Sequence, residues 1–249
     1  MENSRIVKGM RVYVGADLRG VKLVEADMSN LNLEGVNFEN AILSDCKFNG
    51  SNLKHANFKN AKVDGGDFSP NKEGKNTDLS HSNFEEANLV WAALRGVNAE
   101  NAKFHQTNLA GANATDSNFK SADLSNVYAW DTDWHKSNLE DADLSRAYLK
   151  GTNLSHSDLK NVDLTWAEMD SKTNLTHTNL EGAILDNTRL GSANYKKAAS
   201  FDNAKFQDPR CPQGYEYVHA YFNKGQKVKP YCRRKGAHAD GNERVAPLY

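Results

Sequence analysis

The residues able to do chemistry are plentiful in this chain, but almost none stand at a spacing that chemistry requires. Eight histidines are scattered among many serines and aspartates. There is no phosphate-binding glycine loop, no CxxC pair and no HExxH. His156 and His177 are the closest approach to a metal pair, yet no third ligand stands at a fixed spacing from them, so no metal or other cofactor is expected. Three cysteines are too few for a disulfide scaffold. Cys211 and Cys232 flank a stretch that reads as a hairpin and either bond to each other or stay as thiols, while Cys46 reads as a buried core thiol. The expectation is a protein that is not an enzyme, with no catalytic residue.

A five-residue period accounts for this abundance of polar side chains. From about Tyr13 to Phe206 the chain repeats Ala/Ser/Thr, Asn/Asp, Leu/Phe and two small or polar residues, as in Ala16-Asp17-Leu18-Arg19-Gly20 and Ala122-Asp123-Leu124-Ser125-Asn126. That period matches neither a helix nor a flat strand. A short fixed repeat implies a solenoid in which each unit packs on its neighbours. The large and the small apolar residue of each unit point inward, and the other three face water. The position two after Leu/Phe is often glycine or asparagine, as at Gly20, Gly35, Asn40 and Asn60, which suits a positive φ at a tight turn.

In these units the chain resembles the pentapeptide-repeat proteins. The resemblance implies an all-β, right-handed quadrilateral β-helix with one pentapeptide on each side and about twenty residues per coil. We therefore divide the chain into an N-terminal cap (1–12), the β-helix (13–206) and a basic aromatic C-terminal tail (207–249). The tail is expected to be a short β-hairpin module that caps the rod. Residues 215–222 and 227–232 read as its two strands around a glycine-containing turn.

The frame slips near residues 69–76, 170–173 and 200–203. The first slip, Ser69 to Asn76, has no apolar central residue and reads as a surface loop. Counting four units per coil places Leu18, Phe38, Phe58, Leu79, Ala99, Phe119, Leu139 and Leu159 in one internal column, with the loop between Phe58 and Leu79. Trp134 falls between Ala114 and Leu154. It either fills the space that Ala114 leaves or turns outward with its unit. Ser125 is expected to face solvent.

Aromatic residues at outward positions are the informative ones. Trp91, Tyr128, Trp130 and Tyr148 fall on or beside one side, with Tyr128 and Tyr148 one coil apart and their rings about 5 Å from each other. Such a strip is a candidate protein contact. Asp131, Asp133 and Asp141, with Glu140 and Asp143, are expected to cluster around the corner from it. Residues 1–206 carry 28 acidic and 23 basic side chains, whereas the tail holds eight basic and four acidic ones. In the tail, Lys224, Lys227, Lys229, Arg233, Arg234 and Lys235 crowd into one stretch.

The leading expectation is a non-enzymatic structural or protein-interaction scaffold, part of or docked onto a larger assembly such as a virion or surface layer. The resemblance also implies an alternative, a DNA mimic that binds a type II topoisomerase, although the rod's net charge of −5 is thin for that role. A second alternative is a nucleic-acid-associated protein using the tail. A macromolecular protein partner is expected, with a homo-oligomer as another use of the same surfaces. No stretch approaches the roughly eighteen apolar residues of a membrane span and no signal-peptide pattern is present, so a cytoplasmic address or a soluble assembly is expected.

Overall fold

The computed structural model describes residues 5–190, Ser200 and five short C-terminal strands. Within it the pentapeptides wind a right-handed, four-sided β-helix that contains no helix among the described residues. Each side is a parallel ladder with a spacing of twenty residues wherever no slip intervenes. The first side runs Asp17, Asn37, Asn57, Asn83 and on to Ile184, and the second runs Lys22, Ile42, Lys62, Asn88 and on to Arg189. The third begins at Asp27 and the fourth at Asn32.

Each unit turns its corner by one hydrogen bond from the inward small residue back to the preceding Leu/Phe carbonyl, as in Ala26 N to Leu23 O at 3.2 Å. The corner residue takes a positive φ, which glycine and asparagine accept most readily. The geometry holds whatever the residue: Glu25 (56°), Trp91 (58°) and Trp166 (63°) adopt it beside Gly20 (64°). Regular packing of the coil thus overrides local preference.

The inward pair fills the tube with side chains. Phe58, Phe84 and Phe104 stack down the first side with centroids 4.5 and 5.0 Å apart and planes within 5°. Where the small inward residue is serine or threonine, its hydroxyl is buried but donates to a backbone carbonyl, of the preceding coil as Thr107 does to Phe84 (2.6 Å) and Thr152 to Ala129 (2.7 Å), or of its own unit as Ser82 does to Leu79 (2.6 Å). That bond is why hydroxyls are tolerated at a core position. Cys46 uses the same geometry, with Sγ 2.7 Å from the Leu23 carbonyl oxygen. Burial pushes its pKa up to about 11, which fits an inert core thiol.

The phase across the first loop differs from the sequence expectation. Asn52 bridges Asp78 and Asn57 bridges Asn83, so Leu79 stacks over Leu53 on the fourth side, and Phe84 stacks over Phe58. All six extra residues lie outside the coil and no side is skipped. The physical reason is the wall: a side laid by the loop would present no apolar residue to the core. The loop folds along the corner between the third and fourth sides, where the Asn71 amide donates to Asn30 Oδ1. The second slip is as expected, with Asn153 bridging Asn174. The last falls earlier than 200–203, because Asn179 already bridges Ser200 at a spacing of 21.

This register carries a direct prediction. Removing residues 70–75 joins Ser69 to Asn76 and regenerates a regular unit, Phe68-Ser69-Asn76-Thr77-Asp78-Leu79, with asparagine at the corner. The shortened chain is expected to fold with a melting temperature within about 4 °C of the parent, on the order of 1 kcal/mol. A fall of more than about 10 °C in a circular dichroism melt would contradict the register.

Strands β1 (Arg5–Val7) and β2 (Met10–Val12) form an antiparallel pair that contributes buried Val7 and Val12 to the core. In the tail, β3 (Tyr215–Val218) pairs with β6 (Tyr231–Arg234), and β4 (Tyr221–Asn223) pairs with β5 (Gln226–Val228) in the same antiparallel register. A further strand, β7 (Val245–Pro247), lies along β6.

Candidate binding surface

The four sides differ in what they show to solvent. On the fourth, asparagines and aspartates bond to one another from coil to coil: Asn118 Nδ2 donates to Asn98 Oδ1 at 2.9 Å and Asn138 to Asn118 at 3.2 Å. The same oxygens accept the backbone N–H two residues on, for example Lys120 N to Asn118 Oδ1. Such a ladder is internally satisfied. The second side replaces it with tyrosine at two successive coils.

Tyr128 and Tyr148 stack with centroids 5.1 Å apart and planes 4° from parallel. Trp130 meets both edge-on at 5.9 and 6.2 Å, so three rings hold each other in fixed orientations. Trp91 stands apart from that trio at the corner between the second and third sides, 72% exposed, and lies over Gly111 in the next coil. A β-carbon at Gly111 would collide with the indole, so glycine there is what allows the ring to lie flat. Trp166, 51% exposed, occupies the other corner of the same side. Sequence reasoning passed over it. Its place two residues after Leu164 in a corner column with Asn126 and Arg146 was the available signal.

The acidic residues do not form one cluster. Asp131 lies at the corner of the second and third sides, Asp133 on the third, Glu140 on the fourth, Asp141 at the next corner and Asp143 on the first. Thirteen residues cover more than half of a twenty-residue coil, so these groups circle the rod. Most are also engaged locally: Asp133 accepts from Asn153 (2.9 Å), Asp141 from Asn161 (3.1 Å) and Glu140 pairs with Lys120 (2.6 Å).

At the corner between the third and fourth sides, His177 lies 4.8 Å from His156, and His135 joins them at 5.3 Å. Among the described residues no group of three or more such side chains is arranged to hold a metal ion. Desolvation, then the neighbouring His177, His135 and Lys136, lower the pKa of His156. A folded pKa below the unfolded value of about 6.5 means that the neutral ring's contribution is intact above that pH. It is lost as the pH falls toward the folded value. Proton NMR is expected to give His156 a midpoint below that of free histidine, and His177→Ala is expected to raise it. An unchanged midpoint would dismiss the repulsion.

Cys211, Lys224, Lys229 and Lys235 lie outside the described residues. Lys227, Arg233, Arg234 and Cys232 are described only as strand positions, with Cys232 opposite Tyr217. No described helix is long and apolar enough to cross a membrane.

A family model for pentapeptide repeats matches the chain in eight copies over residues 14–50, 32–69, 75–98, 92–128 and 137–170. Among solved structures, the chain is similar to HetL, a pentapeptide repeat protein involved in heterocyst differentiation regulation from the cyanobacterium Nostoc sp. strain PCC 7120. Identity is 24%, over 79% of this chain and 90% of that one, with a TM-score of 0.43. It is similar also to full-length QnrB1, a plasmid-mediated fluoroquinolone resistance protein, at 16% identity over 78% and 94% of the two chains, with a TM-score of 0.48. A pentapeptide repeat protein from the Arabidopsis thaliana thylakoid lumen matches at 24% identity over 42% and 69%, with a TM-score of 0.39. No curated protein matches the chain.

Proposed function

We propose that this chain, which belongs to the pentapeptide-repeat family, is a non-enzymatic scaffold whose second side docks a protein partner within a larger assembly. The observation that carries this reading is the ring trio of Tyr128, Trp130 and Tyr148, with exposed Trp91 and Trp166 farther along the corners of the same side. Exposed aromatic groups on a rigid wall bury large area at little cost in side-chain entropy, which is what interface anchors need. Among the described residues the core is filled with side chains, and the hollow around Asn76, Gly96, Asn98, Glu100 and Asn118 is shallow and mostly polar, so a water-excluding reaction site is not part of this reading. The circling of Asp131, Asp133 and Asp141 around the rod weighs against a DNA-mimicking role, which would want acidic charge gathered along one face. The basic residues Lys224, Lys227, Lys229, Arg233, Arg234 and Lys235 are proposed as a second contact, to an acidic protein surface.

The test places a photo-crosslinking residue at Trp130 or at Glu100 on the fourth side, in the native host. Crosslinks to one protein from position 130 and not from 100 are expected, and they should be lost when Tyr128 and Tyr148 are changed to serine. Equal crosslinking from both positions would remove the second side from the reading.

A further inference from the structure

Beside the ring trio, a shallow depression of about 390 Å³ opens at the corner of the second and third sides, lined by Trp130, Asp131, Lys150, Gly151, Asp170 and Lys172. That size falls within the roughly 300–1,000 Å³ of small-molecule sites. Its parts come from three stacked coils. Lys150 sits one coil from Trp130 in the same unit position, and Gly151 sits one coil from Asp131. Gly151 leaves room for the Asp131 carboxylate to lie against the backbone, where a β-carbon would meet Oδ1.

We propose that this depression binds a neutral saccharide, stacked on the Trp130 ring and hydrogen-bonded by the flanking carboxylates and ammonium groups. Three observations support that ligand class. The first is a 44% exposed tryptophan whose ring packs at steep angles against Tyr128 and Tyr148. The negative face of such a ring attracts the weakly positive C–H face of a pyranose. The second is the balance of charge. Two carboxylates and two ammonium groups line the hollow, and Lys150 is already paired with Glu168 at 3.2 Å. An ion of either sign would meet a like charge, whereas vicinal hydroxyls both donate to carboxylates and accept from ammonium groups.

The third is the availability of those groups. Asp170 uses Oδ1 to accept from the backbone N–H groups of Gly151 (3.0 Å), Lys172 (3.0 Å) and Thr173 (3.1 Å), which fixes the carboxylate while Oδ2 makes no hydrogen bond among the described residues. Asp131 has neither a side-chain hydrogen bond nor an ion pair among the described residues. The one-residue slip at 170–173 that puts Asp170 in place therefore also builds this wall of the hollow.

The full-length protein is to be titrated with cellohexaose, chitohexaose and maltohexaose while the indole N–H signals are followed by NMR. At least one of the three is expected to shift the Trp130 signal with a dissociation constant of roughly millimolar or tighter. Trp130→Ala should abolish the binding and Asp131→Asn should weaken it several-fold, with Asn101→Asp, at an exposed corner away from the hollow, unchanged. The assay uses purified protein alone, so failure of the crosslinking test leaves it standing. No shift at Trp130 with any of the three sugars, a response that survives Trp130→Ala, or binding of free arginine in their place would overturn the proposal.

Discussion

Leu124→Asp is expected to unfold the middle of the rod. Leu124 is fully buried on the first side, between Phe104 one coil before and Leu144 one coil after. The substitution removes about 1.5–3 kcal/mol of apolar burial and places a carboxylate where no cation or spare donor faces it. An unpaired buried charge adds several kcal/mol more. Each coil is also the template for the next, so one failed coil strips two neighbours of their packing. A melt should show a loss of well over 10 °C or no folded baseline. Ser125 is not a suitable control, contrary to its expected outward exposure. It is only 8% exposed, with Oγ 2.5 Å from Asp123 Oδ1 and 2.8 Å from His105 Nδ1, so a second carboxylate there would repel Asp123. Asn101→Asp, at an exposed corner with φ of 56°, is the matched change and should shift the melt by no more than about 2 °C. Similar melts for Leu124→Asp and Asn101→Asp would refute the inward assignment.

The reach of the sequence follows from how local each feature is. Inward and outward positions repeat every five residues, so Leu18 through Leu185 could be assigned to the core from their own units. The stacking of Tyr128 on Tyr148 followed from the same count, because no slip intervenes between them. Relations that cross a slip were less legible. The loop from Ser69 to Asn76 could have replaced a side or bulged beside one, and only the need to keep an apolar residue on every side selects the bulge. The acidic residues were misplaced for a related reason: proximity along a coil reads as clustering until the corners are followed around. Trp166 was missed because a corner position looks like a turn residue first. His135 was missed because it stands one position off the column that His156 and His177 share.

Trp134 is the largest fully buried side chain of the described core, and its substitution is expected to separate two contributions that usually act together. The indole is fully buried, edge-on to Phe119 at 6.0 Å, in a stretch where the central residues at Ala99, Ala114 and Ala129 are small. It therefore supplies the volume that the alanines do not. Trp134→Ala should open a large cavity and cost about 3–5 kcal/mol, since a hydrogen-bonded wall cannot collapse inward to fill it. Trp134 Nε1 is also buried without a hydrogen-bond partner among the described residues, a defect worth roughly 1–3 kcal/mol. Trp134→Phe removes that defect while keeping most of the ring, so the two effects should largely cancel. Denaturant titrations are expected to place Trp134→Phe within about 1 kcal/mol of the parent and Trp134→Ala several kcal/mol below it. Ala114→Val supplies the second half of the argument. In the parent it should overpack against the indole and cost about 1–3 kcal/mol, but in the Trp134→Phe background the added methyl groups enter space the smaller ring has vacated. A double-mutant cycle with no coupling would mean that Ala114 is small for some reason other than making room for Trp134.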